Sequence, residues 1–240
     1  MTATAPESDT TLLVIAKQPV PGRVKTRLVP PCTYEQAAAL ADTLHAMLMA
    51  PARQRLLVLD GEPGPWLPAG FDILPQCGGP LDERIAGAFA AVHGPALLIG
   101  MDTPQVSPAL LAVDWTAADA IFGPAADGGF WALGLRVPDP ALLLGVPMST
   151  QSTGAIQRAR LLRAGLRVID LPCLRDVDTV ADAVAVARQA PGSRFAARAR
   201  ELAGVLRPAS GVAGEAAPGQ EPAPGEEGTA REEATAGETA

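Results

Sequence analysis

Short apolar runs alternate along the chain with segments that carry apolar residues on one helical face. The runs TLLVIA (11–16), RLLVLD (55–60), ALLIGMD (96–102), AIFGP (120–124), WALGL (131–135) and LRVIDL (166–171) predict strands. Helices are predicted over 33–50, 81–92, 107–113, 152–164 and 179–190. The strand runs are nearly continuous in hydrophobicity rather than alternating, which is the pattern of strands buried on both faces. Strand-helix alternation then predicts an α/β fold, a mostly parallel Rossmann-like sheet with helices on both faces. In such sheets ligands collect at the carboxyl ends of the strands.

Composition sets the boundaries. From Pro208 onward the chain is almost entirely Ala, Gly, Pro, Glu, Thr and Ser, and it cannot bury enough apolar surface to offset the entropy of ordering. Residues 208–240 are therefore expected to be a disordered acidic tail, 11–207 the folded domain and 1–10 a flexible N-terminus. The tail holds seven glutamates against Arg231, so it takes −6 of the formal −7 and leaves the body near neutral. No basic stripe remains for nucleic acid. Aromatics are only 4% of residues, so the core must be built mainly of Ala, Leu and Val. No apolar run approaches the ~18 residues of a membrane span, and the first ten residues lack the basic and apolar regions of a secretory signal. Cys32, Cys77 and Cys173 are far apart and odd in number, which points away from disulfides or zinc and towards a reducing cytoplasm.

The chemistry is sought after each strand. Beyond the first comes KQPVPGRVKTRL (17–28), which contains Lys17 and Lys25, the only two lysines of the chain. Pro19, Pro21 and Gly22 force a turn, and Gly22, Arg23, Lys25, Thr26 and Arg27 then bring backbone donors and three cations together. Such a loop suits a phosphate chain, although a solvated basic loop has the same composition. The retained lysines favour phosphate, because a compact ammonium and a planar guanidinium are not interchangeable there. Neither a Walker A loop nor GxGxxG is present.

Asp102 closes the third run. A carboxylate at that edge beside a phosphate site is a natural Mg²⁺ ligand, while its alternative use is to cap the following helix, for which Ser107 is the better candidate. Asp127-Gly128-Gly129 reads as a hairpin turn whose glycines also let a substrate lie against backbone. Asp176 and Asp178 face the same way in extended chain and repel each other unless a cation is shared, or one of them caps the helix that Thr179 begins. Arg84, in a helix's first turn, is either solvated or reaches a substrate anion, and Ser149, Thr150, Ser152 and Thr153 suggest capping of the helix from 152. His45 and His93 have no ligand-spaced partners, and no Ser-His-Asp or Cys-His constellation is evident.

KQPVPGRVKTRL, QCGGPLDERIAGAF, LLIGMDTP, GPAADGGFWALGL, PMST and LRDVDT occur here in one order. In this the chain resembles a bacterial family of GT-A-type, glycosyltransferase-like transferases of unassigned reaction. It is similar also to the 2-phospholactate guanylyltransferases and, more distantly, to the molybdenum cofactor guanylyltransferases. The resemblance covers roughly residues 11–188. It implies that Gly22, Arg23, Lys25, Thr26 and Arg27 bind nucleotide phosphates, that Asp102 and Asp178 hold Mg²⁺ or Mn²⁺, and that Lys25 and Asp102 serve catalysis. It further implies that Asp127 and Gly128 belong to an acceptor-side loop, and Gly129, Arg84, Ser149 and Thr150 are the further candidates for binding the acceptor. Asp82 stands where the family commonly has Gly, and Met148 where Trp is common, departures that touch acceptor choice.

The expectation is a Mg²⁺-dependent transfer of a nucleotidyl group from an NTP to a small phosphorylated or carboxylate acceptor, with pyrophosphate released. The alternatives are glycosyl transfer from a nucleotide sugar, which the single aspartate of GMDTP suits less well than a DxD would, and nucleotide binding without catalysis.

Overall fold

The structure is a computed structural model and describes residues 8–18, 43–193 and 195–197. One seven-stranded sheet runs in the order β3-β2-β1-β4-β6-β5-β7. Its strands are β1 (Thr11–Lys17), β2 (Gln54–Asp60), β3 (Asp72–Pro75), β4 (Ala96–Gly100), β5 (Ala120–Pro124), β6 (Phe130–Leu135) and β7 (Val168–Asp170). Only β6 is antiparallel to its neighbours, β4 and β5. The carboxyl ends of the six other strands therefore share one edge of the sheet, and β6 begins there.

Helices α1 (Thr43–Leu48), α2 (Leu81–Ala90), α3 (Pro108–Leu111), α4 (Thr153–Arg163) and α5 (Val180–Gln189) match five predicted segments, although residues 33–42 of the first lie outside the described residues. On one face Leu12, Val14, Leu57 and Ile99 pack with Met47 of α1 and Leu111 of α3. On the other, Leu13, Val58 and Leu98 pack with Ile85 and Phe89 of α2 and Leu161 of α4. Successive β1 residues thus enter opposite cores, so Leu12 to Ala16 are all apolar and the alternation of a half-exposed strand disappears. The mostly parallel α/β sheet with both faces covered is the predicted one.

The prediction omitted β3, a four-residue edge strand with no buried position. Two expected caps also differ. Ser107 stands at the N-cap of α3 and Ser152 at that of α4, yet neither side chain makes the capping bond. Instead Thr153 Oγ1 donates to the Pro147 carbonyl and accepts from the Thr150 N–H. Before α5 the cap is Thr179, in a reciprocal box with Asp182, so the task does not fall to Asp178. Burial pushes the Asp182 carboxyl up, but bonds from Thr179 and the adjacent Arg175 outweigh it and hold it below its ordinary value.

At the opposite edge of the sheet Asp119, just before β5, accepts from Arg167 ahead of β7 and pairs with Arg136 after β6. The Arg167 hydrogen bond, helped by the charge of Arg136, pulls the Asp119 carboxyl down to about 2. A carboxyl lower in the folded than in the unfolded chain adds stability above its unfolded value, and loses it as pH falls through the folded one. Urea titrations should therefore show Asp119→Asn weaker than wild type at neutral pH. The gap should close between pH ~4 and ~2, the interval set by the shift. A gap that stays constant across that interval would contradict the assignment.

Candidate active site

A cleft of about 460 Å³ opens at the carboxyl edge. Lys17 and Ala16 end β1, Gly100 ends β4, Met101 and Asp102 follow it, and Phe130 and Trp131 begin β6. Arg84 and Ile85 enter from α2, Ser149, Thr150 and Thr153 from the approach to α4, and Asp176 and Asp178 from the segment before α5.

The 171–178 segment is laid across the strand ends by a run of hydrogen bonds. Leu171 N–H donates to Phe122 O (2.7 Å), Leu174 N–H to Pro124 O (3.1 Å), and Ala126 N–H to Leu174 O (2.8 Å). Trp131 Nε1 donates to Pro172 O (3.0 Å) and Gln105 Nε2 to Arg175 O (2.7 Å). The Val177 N–H then donates to the Asp102 carbonyl at 2.9 Å while its side chain is buried at 1% exposure. With Val177 turned into the core, extended backbone sends Asp176 and Asp178 the other way, and both line the cleft beside Asp102. Asp102 and the pair Asp176 and Asp178, at least 74 residues further along the chain, thus line the same cleft.

On the β1–β3 side Gln76 seals two strand ends. Its Nε2 donates to Ala16 O (2.8 Å) and Val58 O (3.0 Å). Its Oε1 is left to accept from Arg84 Nη1 at 3.4 Å. Arg84 Nε donates to Gly79 O (2.8 Å), and Asp60 at the end of β2 lies 3.5 Å from Nη1. Arg84 is therefore a tethered fork in the cleft rather than a solvated surface charge.

The Asp127 turn serves as predicted to join β5 and β6. Asp127 Oδ1 accepts from Gly129 N–H at 2.8 Å, and both residues line the cleft. Gly128 does not line it. Its φ is +91°, and a Cβ there would lie 2.1 Å from the Gln151 carbonyl oxygen. The Gly154 N–H donates to its carbonyl at 2.8 Å, so Gly128 joins the turn to the start of α4. Asp82 is likewise diverted: it is buried and accepts from Gly145 N–H at 2.8 Å, tying α2 to the loop that precedes Met148.

Of the predicted residues, Asp102, Asp178, Asp127, Gly129, Arg84, Ser149 and Thr150 share the cleft. Gly22, Arg23, Lys25, Thr26 and Arg27 lie outside the described residues. Gln76 was missed because the strand before it was missed, and its only sequence signal is its place at the head of QCGGPLDER. Among the described residues no group of three or more His, Cys, Asp or Glu could hold a metal ion. Two carboxylates in the cleft, Asp102 and Asp178, are the donor type magnesium takes, since it uses one or two carboxylates and completes its shell with water and phosphate oxygens.

The fold defines a class, the GT-A-type transferases. Within it, residues 33–150 match the model of a family of uncharacterized proteins conserved in bacteria (DUF2064), and the resemblance read from the motifs holds. A protein of Desulfovibrio desulfuricans G20, provisionally named a nucleotide-diphospho-sugar transferase, is 27% identical over 83% of this chain and 97% of its own, with a TM-score of 0.72. A CMP:2-keto-3-deoxy-manno-octonic acid synthetase solved with CTP shares the fold at 12% identity, over 81% of this chain and all (100%) of its own, with a TM-score of 0.50. Rv0371C of Mycobacterium tuberculosis H37Rv, solved with manganese, is 22% identical over 75% of this chain and 98% of its own, with a TM-score of 0.46. A search of the curated proteins gives no match.

Proposed function

We propose that this chain transfers the nucleotidyl group of an NTP to a small acceptor and releases pyrophosphate. The observation that carries the reading is the meeting of Asp102, Asp176 and Asp178 with Lys17 and Arg84 in one cleft at the carboxyl edge. Lys17 precedes the Gly22–Arg27 segment in sequence, and the proposal assigns that segment's cations to the nucleotide phosphates. Phosphates bound between cations and carboxylates have a place for a divalent cation, Mg²⁺ or Mn²⁺, held by Asp102 and Asp178. Such an ion, when bound, neutralises phosphate oxygens and favours in-line geometry.

The chain's own groups do the remaining work. Lys25 and Arg27 spread the charge that develops on the leaving pyrophosphate, Lys17 and Arg84 fix the nucleotide, and the β6 side receives the acceptor. The acceptor atom bonds to the α-phosphorus as the bond from that phosphorus to the bridging oxygen breaks, pyrophosphate leaves with the bridging oxygen, and a proton carried by the acceptor passes to water. Two exposed, unpaired thiols, Cys77 and Cys173, accord with work in a reducing cytoplasm. In the described residues no helix is long and apolar enough to cross a membrane.

A second reading keeps this site and moves a sugar instead, and the name of the Desulfovibrio protein favours it. Product analysis separates the two. Pyrophosphate is the expected product, whereas a free nucleoside diphosphate would transfer the case to the second reading. The screen begins with thermal shifts of NTPs and nucleotide sugars with and without Mg²⁺. A ligand at a hundredfold excess over its Kd adds about 2.7 kcal/mol. No shift with any nucleotide would overturn both readings.

A further inference from the structure

We infer that the acceptor is a neutral, polyhydroxylated molecule, not the phosphorylated or carboxylate compound that the motifs suggest. This rests on the transferase reading above and names the substrate class of its second subsite. The order of the sheet separates the charges of the cleft. The cations Lys17 and Arg84 sit at the β1–β3 half, and Arg84 is held there by Gly79, Gln76 and Asp60. The opposite wall is built from the start of β6 and the approach to α4. Among the described residues it presents Asp127 and the hydroxyls of Ser149, Thr150 and Thr153, with no cation.

Among the described residues an anionic acceptor on that wall would meet a carboxylate and no opposite charge, and a charge taken out of water without a partner is costly. A hydroxyl group meets what it needs. Gly129 N–H occupies one oxygen of Asp127 and fixes the carboxylate, whose other lone pairs accept. Thr150 and Thr153 are already engaged with each other and with Pro147. Ser149 is different. It is the one non-glycine residue with positive φ (59°) among the described residues, and it is exposed in the cleft wall. No hydrogen bond within the described residues occupies its hydroxyl. Backbone held in a sparsely populated region, at a site's rim, with an open donor and acceptor, is the arrangement of a ligand contact.

Matched acceptor pairs test this: glycerol against glycerol 3-phosphate, and glucose against glucose 6-phosphate and gluconate. Each is added to nucleotide-loaded protein, with thermal shift and release of pyrophosphate or nucleoside diphosphate as readouts. Neutral members should be favoured at least tenfold. Ser149→Ala and Ser149→Gly should both raise the KM for the neutral acceptor, by about 3–10-fold for one lost hydrogen bond, and leave the nucleotide-induced shift as it was. The glycine variant also relieves the backbone, so equal KM values with unequal melting temperatures separate ligand contact from structural strain. Preference for the charged members, an unchanged KM in both variants, or no neutral member that binds or reacts overturns the inference. The transferase reading fails separately, by the lack of any nucleotide-induced shift before an acceptor is added.

Discussion

Asp102→Asn should lower turnover on the order of a hundredfold or more while the folded state survives. The expected loss follows from the position. Asp102 stands two residues beyond β4, the central strand of the sheet, and lines the cleft together with Asp178, Lys17 and Arg84. A divalent cation held there is worth several kcal/mol of charge stabilisation in the transition state, and each 1.36 kcal/mol is a factor of ten in rate. The strap before α5 is tied to Asp102 through its backbone carbonyl, and asparagine keeps that bond. The variant should also need far more Mg²⁺ for half-maximal activity, since a neutral amide oxygen replaces an anionic one. Steady-state kinetics across a Mg²⁺ series, beside an unfolding curve, checks both halves. Wild-type turnover, or a collapse in melting temperature large enough to account for the rate, would remove Asp102 from the proposed role.

That residue was visible in the sequence because a charge that ends an apolar run has one place to go in a parallel sheet. Arg84 and Gln76 were harder. Whether Arg84 is solvated or aimed at a ligand depends on Gln76, Asp60 and Gly79, which tether it, and tethering is tertiary. Gln76 could be placed at a strand end only if DILP were a strand, and an edge strand of four mainly exposed residues carries no hydrophobic signature. The two late aspartates show the converse. Period-two geometry predicted that they face together, but not that Val177 would be the buried residue between them or that its N–H would find the carbonyl of Asp102. Capping was legible as a position more than as a bond. Ser107 and Ser152 stand where caps belong, yet the hydroxyls that bond near α4 are those of Thr150 and Thr153. Those hydroxyls answer to the cleft wall, a constraint that local sequence does not contain.

Gly128→Ala should be the most destabilising of three glycine replacements around that wall, and the three together show why the Asp-Gly-Gly turn has its composition. Gly145 has φ +75° with open space around its hypothetical Cβ, so Gly145→Ala meets only the left-handed penalty, about 1–2 kcal/mol. Gly154 lies in the first turn of α4, where alanine is intrinsically favoured by about 1 kcal/mol over glycine. Its Cβ, however, would sit 2.4 Å from the Gly129 carbonyl oxygen. Gly128 combines both problems: φ +91° and a Cβ 2.1 Å from the Gln151 carbonyl oxygen. Both obstacles at Gly128 are backbone, which cannot turn aside as a side chain end does. Relief must push the turn away from α4 and stretch the 2.8 Å bond from Gly154 N–H to Gly128 O. The expected losses are about 1–2 kcal/mol for Gly145→Ala and about 3 kcal/mol or more for Gly128→Ala, with Gly154→Ala between them. Because Asp127 and Thr150 sit on the two sides of this junction, Gly128→Ala should also raise the acceptor KM in whatever folds, while nucleotide binding at the β1–β3 half is retained. Denaturant midpoints at constant m-value measure the first effect and acceptor titrations the second. If Gly128→Ala proves no worse than Gly145→Ala, the turn and α4 are not in backbone contact, and the wall that Asp127 and Ser149 share does not exist.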